Sequence, residues 1–375
     1  MKGIFLRYPV QNLDNHIGIR KKMAGQLNVF NSEGLNCQFV DLKTSKNEIS
    51  NSWARKLNAL PFTNVWPYWN KSGINTHNCN YIYFRRPSAI NKPCINFLRC
   101  IKIDNHKTKV IMEIPTYPYD EEYVGVKKLL HIKDMHNRVK LKGLVDRIVV
   151  VGYGQTITEL WGIPVIQIDN GCDMTSYKIK EENCVHNSVT LICVAMFSFW
   201  HGYERLIKGL AEYKNGGGET DYRILFVGDG PELSSYIELS NKLDIKNKVE
   251  FLGTLSGDQL NKAYNRSDIA VGSLGLYKKN IDTCSTLKAS EAFAKGMPII
   301  VGNHIKKLSD DNFKYYLEFN NDSSPIDFNR IDDFVVKNHI KDAFDKNSKL
   351  IRRYAEDNYS STAMMSDVIR YIKEG

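Results

Sequence analysis

The sequence predicts an α/β fold with two doubly wound parallel sheets, each in its own domain. Short apolar segments with the character of buried strands alternate with helical segments along almost the whole chain, which is the pattern of a parallel sheet. The chain has 375 residues, more than one hydrophobic core usually organises. A polar stretch at 175–187, TSYKIKEENCVHN, separates two series of strands and is the expected linker.

Eleven apolar segments are candidate strands, six before the linker and five after it. The six are Gly3 to Tyr8, Cys37 to Leu42, Asn80 to Arg85, Lys109 to Ile114, Arg147 to Gly152 and Val165 to Ile168. The five are Val189 to Met196, Arg223 to Val227, Val249 to Leu252, Asp268 to Gly272 and Pro298 to Val301. The end of the chain has helical periodicity. We therefore expect domains at 1–175 and 186–350, followed by a helical segment at 351–375.

Composition and motif content argue against several classes of protein and of site. No apolar run is long enough to cross a bilayer and the start, MKGIFLRYPVQN, is too polar for a signal peptide, so we expect a cytosolic chain. The eight cysteines are scattered without a Cys-x-x-Cys pair, which predicts neither a disulfide nor a structural metal. The sequence has no Gly-x-Ser-x-Gly, Walker or His-Glu-x-x-His motif, and VGDGPEL lacks the third glycine of a nicotinamide-binding turn.

Positive charge is concentrated between positions 52 and 110, where ten Lys and Arg residues accompany a single acid, Asp104, and many aromatic residues. Trp66, Trp69, Arg85 and Arg86 are candidates for contact with an acceptor or an anionic membrane, because Trp settles at interfaces and cations attract lipid headgroups. The same pattern also fits a packed loop beside a solubilising basic face. Aromatic and basic residues can bind nucleic acid too, but we do not expect that partner here.

Lys288 and Glu291 lie at the start of a short predicted helix, TLKASEAFAKG, that follows the strand beginning at Asp268. The carboxyl edge of a parallel sheet is where ligands bind, and a helix N-terminus there favours phosphate. Lys288 can balance the charge of a diphosphate, and Glu291 can accept hydrogen bonds from ribose hydroxyls. The alternative is a solvated i,i+3 ion pair on the helix surface.

Five segments occur in the order found in one family of transferases. SEAFAKGMPII, which contains Glu291, resembles a Leu-Glu-Ala-Met-Ala-x-Gly-x-Pro-Val-Val signature. The others are IQIDNGCD (166–173), SFWHGYERLIKGLAEY (198–213), RILFVGDGPE (223–232) and VEFLGTLSGDQLNKAYNRSDI (249–269). Together they resemble the family-4-type retaining glycosyltransferases. SLGLYKK followed by STLKASEAFAKG is similar to a branch that assembles bacterial capsule and O-antigen polysaccharides.

This resemblance implies the GT-B fold, in which two Rossmann-like domains face each other across a cleft and the C-terminal helix returns to the N-terminal domain. It implies a UDP- or GDP-sugar donor bound by the C-terminal domain and a lipid-linked or oligosaccharide acceptor bound by the N-terminal domain. It also implies retention of configuration, no requirement for a metal, and work at the inner face of the plasma membrane. A sugar-nucleotide epimerase and a non-catalytic nucleotide-sugar or RNA-binding protein remain alternatives.

The resemblance also suggests which residues bind the donor. They are Glu291 with Lys288, a glycine loop at Asp14 to Arg20 that contains Gly18, Arg205 on the helix after Trp200, and five residues in two turns: Gly228, Gly230, Ser285, Thr286 and Leu287. For Gly18 an ordinary βα turn is an equal alternative. For Arg205 the alternative is an ion pair with Glu204 or Glu212.

The chain departs from the family pattern at three positions. Thr283, beside Asp282, stands where the first of two family glutamates is expected, His201 replaces a lysine, and Ala195 replaces an arginine. We infer that Lys288, with His201 or Arg205, carries the phosphate contacts, His201 acting best when protonated. The alternative for His201 is a neutral imidazole that is hydrogen-bonded at a helix start.

Glu113 is the candidate on the acceptor side. It lies at the carboxyl end of the predicted strand in VIMEIPTYPYDEE, where a carboxylate could orient or deprotonate an acceptor hydroxyl. In enzymes that this chain resembles, the equivalent strand ends in a His or an acid that touches the acceptor. The alternative is that Glu113 caps a loop by accepting from backbone N–H groups.

Overall fold

The computed structural model describes residues 1–8, 17–42, 69, 74, 76–120, 123, 125, 128–152, 156–181 and 188–374. The chain divides into two compact units. The first unit comprises Met1–Asp169 together with Ser361–Gly375, and the second comprises Asn170–Ser360. Each unit contains one sheet and its own helices.

The first unit is built on a seven-stranded sheet. Its strands are β1 (Gly3–Arg7), β2 (Cys37–Asp41), β3 (Tyr81–Arg85), β4 (Lys109–Ile114), β5 (Arg147–Val151), β6 (Glu159–Leu160) and β7 (Ile163–Ile168). They are ordered β2-β1-β3-β4-β5-β7-β6, and only the β6–β7 pair among them is antiparallel. The strand order reverses between β1 and β3, so the carboxyl ends of these two strands flank the position where ligands bind in such sheets.

Helices cover both faces of this sheet. They are α1 (Ile17–Ser32), α2 (Lys92–Asp104), α3 (Lys128–Arg138) and, counting helices along the whole chain, α11 (Ser361–Glu374). Alternate residues of β1 point to opposite faces. Phe5 packs in the layer formed with α1 and α11, whereas Ile4 and Leu6 pack in the layer that includes α2. The sheet is therefore buried on both sides, as the continuous apolar strands require.

The second unit is built on a six-stranded parallel sheet. Its strands are β8 (Val189–Val194), β9 (Tyr222–Val227), β10 (Val249–Phe251), β11 (Ile269–Val271), β12 (Ile299–Val301) and β13 (Tyr316–Glu318), ordered β10-β9-β8-β11-β12-β13. This is the Rossmann order, and its reversal falls between β8 and β11. Its helices are α4 (Glu204–Asn215), α5 (Leu233–Lys242), α6 (Gly257–Asn265), α7 (Leu287–Ala294), α8 (Lys306–Asp310), α9 (Phe328–Lys337) and α10 (Phe344–Tyr359).

The predicted fold class of two parallel α/β sheets is confirmed. Each of the eleven predicted strands is present, with ends that shift by at most two residues. The short strands β6 and β13 were not predicted. The returning segment begins at Ser361 instead of 351, because residues up to Tyr359 continue α10 within the second unit. Within the described residues, none of the helices has the length and apolar character needed to cross a bilayer.

Candidate functional site

The loops that follow β8 and β11 meet at the point where the strand order of the second sheet reverses. The backbone N–H of Leu274 donates to the carbonyl of His201 at 2.8 Å, which joins the two loops. Gly202 and Gly275 allow this approach, since a Cβ on Gly202 would lie 2.5 Å from the nitrogen of Gly275. The packing of these loops fixes the carboxyl edge of the sheet.

Helix α7 begins at this side of the sheet with polar groups that lack partners. Thr286 is the N-cap residue and has extended backbone angles. The hydroxyl oxygens of Ser285 and Thr286 are buried and form no hydrogen bond within the part of the chain that the structure describes. The first N–H groups of a helix also lack intrahelical acceptors and attract negative charge. The entrance to α7 therefore has the properties of an anion site.

Lys288 adds a positive charge in the first turn of α7. Its side chain is partly buried, and its ammonium group makes no hydrogen bond and no ion pair within 4 Å to any described residue. Burial lowers the pKa of Lys288 to about 8, although Cys193 and Glu291 act to raise it. The alternative to a ligand site, an ion pair between Lys288 and Glu291, is absent. An ammonium group without a partner beside a helix N-terminus is electrostatically unfavourable until an anion binds.

His201 is buried beside the same site and is neutral. Its Nδ1 accepts a hydrogen bond from the backbone N–H of Ser198 at 3.0 Å, so the proton of the neutral ring lies on Nε2. Burial, with the nearby charge of Lys288, lowers the pKa of His201 to about 2. The prediction that a protonated His201 contacts the phosphates is therefore wrong for this conformation. The alternative, a neutral ring that is hydrogen-bonded at a helix start, is the one observed. Its Nε2–H is a neutral donor.

Glu291 is oriented by a tyrosine that sequence reasoning missed. The hydroxyl of Tyr177 donates to Glu291 Oε1 at 2.7 Å. Arg352 in α10 fixes the turn that carries this tyrosine by donating to the carbonyls of Tyr177 at 2.9 Å and Met174 at 2.8 Å. Tyr177 lies in the polar stretch that was predicted to be a linker. Nothing in the sequence around it indicates a contact with Glu291.

The Asn-Gly-x-Asp segment at 170–173 supports the entrance to α7. Asn170 Nδ2 donates to the carbonyl of Ser285 at 2.8 Å, and Cys172 Sγ contacts the carbonyl of Ser290 at 3.5 Å. Asp173 caps the short turn that follows by accepting from the N–H of Thr175 at 3.0 Å. The motif thus positions the backbone before the helix, next to the site instead of inside it.

Gly228 and Gly230 form the turn between β9 and α5 and are required there by close packing. Their φ angles are +133° and +149°, a region that other residues rarely adopt. A Cβ on Gly228 would lie 1.8 Å from the carbonyl oxygen of Ala195, and one on Gly230 would lie 2.4 Å from that of Phe197. The turn therefore packs directly against the loop that leads to His201.

Arg205 is not available for a phosphate. It is 1% exposed, and its guanidinium donates to the carbonyls of Ser324 at 2.6 Å, Asn320 at 2.8 Å and Leu274. Asp322 lies 3.5 Å from it. The assignment of Arg205 to donor binding conflicts with these contacts. Its predicted alternative partners are also not the observed ones, because the guanidinium holds three loop carbonyls.

Asp282, Thr283 and Gly18 are three further positions that the sequence singled out. Asp282 is exposed and accepts a hydrogen bond from Asn321 at 2.9 Å, while Thr283 forms a backbone bridge with His304. Gly18 lies within the first turn of α1 rather than in the preceding loop. Asp14 to His16 of that predicted loop lie outside the described residues.

Glu113 lies at the end of β4 and is enclosed by side chains of the first unit. Its Oε2 accepts from Tyr83 and Gln26, both at 2.6 Å, and its Oε1 lies 3.3 Å from Arg85 Nε and 3.6 Å from Lys22 Nζ. Burial alone would raise the pKa of Glu113, but the two cations and two hydrogen bonds lower it to about 2. A fully buried carboxylate that stays ionised to such low pH is a poor proton acceptor. These contacts speak against the predicted catalytic role and differ from the predicted loop cap.

The predicted acceptor or membrane residues that the structure describes are buried. Trp69 is 6% exposed and packs its ring 5.3 Å from those of Tyr8 and Phe97. Arg85 pairs with Glu113. Arg86 stacks 3.6 Å above the ring of Tyr119, and its side chain is 7% exposed.

The surface assignment of Trp69, Arg85 and Arg86 is therefore wrong, because the sheet and its helices bury these three side chains. Trp66 lies outside the described residues. Within the described ranges, His, Cys, Asp and Glu side chains form no cluster of three or more that could hold a metal ion.

Comparisons with known proteins identify the class of one domain and the fold. Residues 176–311 match the family described as Glycosyl transferases group 1, and the match lies inside the second unit, where it supports a glycosyltransferase group 1 domain. No curated protein matches the chain.

Solved structures match the chain over nearly its whole length. A glycosyltransferase from Rickettsia africae ESF-5 has a TM-score of 0.65 at 14% identity and covers 99% of this chain and 97% of its own. Anabaena Alr3699/HepE in complex with UDP has a TM-score of 0.63 at 12% identity and covers 100% of both chains. A sucrose-phosphate synthase from Thermosynechococcus elongatus has a TM-score of 0.61 at 14% identity and covers 99% of both chains. At these identities the likeness shows the fold, which is of the GT-B class.

Proposed function

We propose that this chain is a glycosyltransferase whose donor is a nucleoside diphosphate sugar, UDP- or GDP-linked, with the diphosphate at the N-terminus of α7. One observation carries the proposal. The ammonium group of Lys288 has no partner among the described residues, and Lys288 lies in the first turn of α7, directly after the N-cap Thr286 and Ser285, whose hydroxyls are buried and unpartnered among the same residues. A diphosphate would accept from these groups and from the free helix N–H groups.

The same arrangement suits the chemistry of sugar transfer. When the bond between the sugar and the diphosphate breaks, negative charge develops on the departing phosphate, and donors that are already in place stabilise it. Lys288 supplies a positive charge there, and His201 can add a neutral donor. Glu291, oriented by Tyr177, would accept from the ribose hydroxyls. With Lys288 in this role, transfer would need no metal.

We further propose that transfer retains the anomeric configuration and that the acceptor is a lipid-linked glycan of a bacterial surface polysaccharide, such as a capsule or an O-antigen, at the inner face of the plasma membrane. Support for these points comes from the resemblance of SLGLYKK and STLKASEAFAKG to that branch of the family. Anomeric proton coupling in the NMR spectrum of the product would test retention directly.

Nucleotide binding tests the diphosphate site. UDP and GDP should be titrated against wild type and Lys288→Ala by calorimetry, with Lys262→Ala, an exposed lysine of α6, as the matched control. A charge-assisted contact predicts that Lys288→Ala weakens the preferred nucleotide by about tenfold or more. Because the pKa of Lys288 is about 8, wild-type affinity should fall as the pH rises through 8, and the variant should lack this step. Unchanged affinity in Lys288→Ala would remove the site assignment.

Turnover tests the enzymatic class. With a lipid extract as acceptor source, wild type should release free UDP or GDP from a sugar-nucleotide panel, and Lys288→Ala should lose most of this activity. A protein that binds the nucleotide sugar but never releases the nucleotide would be a non-catalytic binder. Interconversion of the sugar while it stays attached to the nucleotide would indicate an epimerase.

A further inference from the structure

Helix α3 of the first unit has an inverted distribution of polarity. Its buried residues are Lys133, Asp134 and Asn137, and the half-buried Leu130 is an apolar residue that packs against the core beside them. Its outward side carries Ile132 and Met135, which are 49% and 41% exposed. A helix on the surface of a globular protein normally shows the opposite pattern, with its apolar side facing the core.

The apolar side is continuous along the helix and the turn after it. Val139, in the short turn that follows α3, is 56% exposed, so Ile132, Met135 and Val139 occupy positions i, i+3 and i+7. Residues at this spacing lie on one side of a helix. They form an exposed apolar stripe, which we call the α3 stripe.

The buried polar residues of α3 explain why the helix cannot rotate to hide this stripe. Asp134 Oδ1 accepts from the backbone N–H of Ile90 at 2.7 Å, and its Oδ2 accepts from the hydroxyl of Tyr119 at 2.8 Å. Arg86 Nη1 also lies 3.8 Å from Asp134 Oδ1. Turning the stripe inward would leave the carboxylate of Asp134 without these partners, which costs more than exposing three apolar side chains.

Positive charge surrounds the α3 stripe. Lys128, Lys140 and Lys142 are exposed around it, and Lys140 Nζ donates to Nε2 of the exposed His136 at 2.7 Å. Asp134 is the only acidic residue between positions 128 and 145, and it is fully buried. On the neighbouring segment, Asp120 is engaged by Arg138 at 2.7 Å and His131 at 3.0 Å, so its charge is offset locally. The outward potential of this surface is therefore positive.

We propose that the α3 stripe and its lysines bind the surface of an anionic lipid bilayer. Apolar side chains on a basic helix insert at the boundary of headgroups and acyl chains, while lysines reach up to the phosphates. A helix of this length is only about 16 Å long. Its outward side is therefore smaller than the roughly 800 Å² that each partner buries in a stable protein interface. The inference stands on α3 alone and does not depend on the proposed sugar transfer.

Vesicle co-sedimentation of the full chain tests the proposal. Wild type should pellet with vesicles of phosphatidylcholine and phosphatidylglycerol but not with phosphatidylcholine alone, and should be released in about 1 M NaCl, where the Debye length is about 3 Å. The triple change Ile132→Ser, Met135→Ser and Val139→Ser should weaken binding by at least about tenfold. Lys140→Gln with Lys142→Gln should weaken it by about fivefold for each lysine.

The controls separate this surface from general stickiness and from self-association. Val336→Ser removes a residue of α9 that is 73% exposed in the second unit and should leave vesicle binding unchanged. Thermal melts should show that the triple variant remains folded. Equal pelleting of the triple variant and wild type overturns the proposal. So does a wild type that ignores vesicles but sediments as a dimer which the triple variant dissociates, because the stripe then contacts a second copy.

Discussion

Glu113 and Lys288 are both charged residues at the carboxyl edge of a parallel sheet, but their surroundings differ. Glu113 is balanced within the protein by Lys22, Arg85 and two hydrogen bonds. Lys288 has no such described partner. The charges of the first arrangement are balanced inside the protein, although Glu113 Oε1 and Arg85 Nη1 form no hydrogen bond among the described residues, whereas Lys288 has no opposite charge within 4 Å among those residues. This difference separates a stabilising charge cluster from a candidate binding site.

Glu113→Gln should destabilise the first unit strongly. The change removes the carboxylate that pairs with the buried Lys22 and Arg85, and Asp169 near Lys22 balances only part of their charge. Removing one partner of a buried ion pair typically costs about 3–5 kcal/mol. Because the pKa of Glu113 is lowered from 4.5 to about 2 in the folded state, its stabilisation is fully present above pH 4.5 and is lost as the pH falls toward 2. Urea unfolding at pH 7 and across the acid range would measure both effects.

The exposed Glu238 of α5 provides the matched control, since Glu238→Gln should leave stability unchanged. The prediction also discriminates between roles for Glu113. If Glu113→Gln unfolded at the wild-type urea concentration and lost only sugar transfer, a direct catalytic role for Glu113 would be favoured over the structural one.

Tyr177→Phe should weaken binding of a ribonucleotide selectively. The change removes the hydroxyl that donates to the Glu291 carboxylate, so Glu291 loses one of the contacts that orient it. A hydrogen bond to a charged group is worth about 1.5–3 kcal/mol, and because the tyrosine only positions the carboxylate we expect a smaller loss, roughly 2–10-fold in UDP affinity. The affinity for 2′-deoxy-UDP should change less, because fewer hydroxyls contact the carboxylate. Calorimetric titration of both nucleotides measures the difference.

Tyr203→Phe is the control for this substitution. The Tyr203 hydroxyl is buried and forms no hydrogen bond among the described residues, so its removal breaks no such contact. Equal weakening of UDP and 2′-deoxy-UDP by Tyr177→Phe would contradict the assignment of Glu291 to the ribose.

At the scale of elements, the strands could be predicted because burial on both faces makes them continuous apolar runs. Two edge strands were missed. β6 has two residues, too few to give a pattern, and β13 is half-buried, so it lacks the continuous apolar run of the equally short β11 and β12. Both are fixed by their neighbours β7 and β12. The core role of Trp69, Arg85 and Arg86 was missed for a related reason. Charge and aromatic content do not reveal which residues a sheet and its helices enclose.

The candidate site was predictable only in part. Lys288 and Glu291 follow from a strand, a helix start and a recognisable motif. Arg205 was assigned incorrectly because its acceptors, the carbonyls of Leu274, Asn320 and Ser324, are at least 69 positions away along the chain. Gly228 fits a motif associated with phosphate, yet its contact with Ala195 already requires glycine. Sequence alone cannot separate these two reasons for the same residue.

On the scale of the whole molecule, each unit has its own hydrophobic core, and the chain enters the first unit twice. Met365, Val368, Ile369 and Ile372 of α11 pack in one core layer with Phe5 of β1. The second unit has a separate core of its own. A chain with two such cores should unfold in two calorimetric transitions, one for each unit.

Ile372→Ala should therefore lower one transition only. Ile372 is fully buried, and its truncation should cost about 2–5 kcal/mol, which corresponds to a shift of roughly 5–15 °C in the melting temperature of the first unit. UDP should raise the other transition, because ligand binding stabilises the unit that holds Lys288. Glu374→Ala, an exposed change on the same helix, should move neither. If Ile372→Ala and UDP shifted a single shared transition, the two units would unfold as one cooperative body, and α11 would stabilise both.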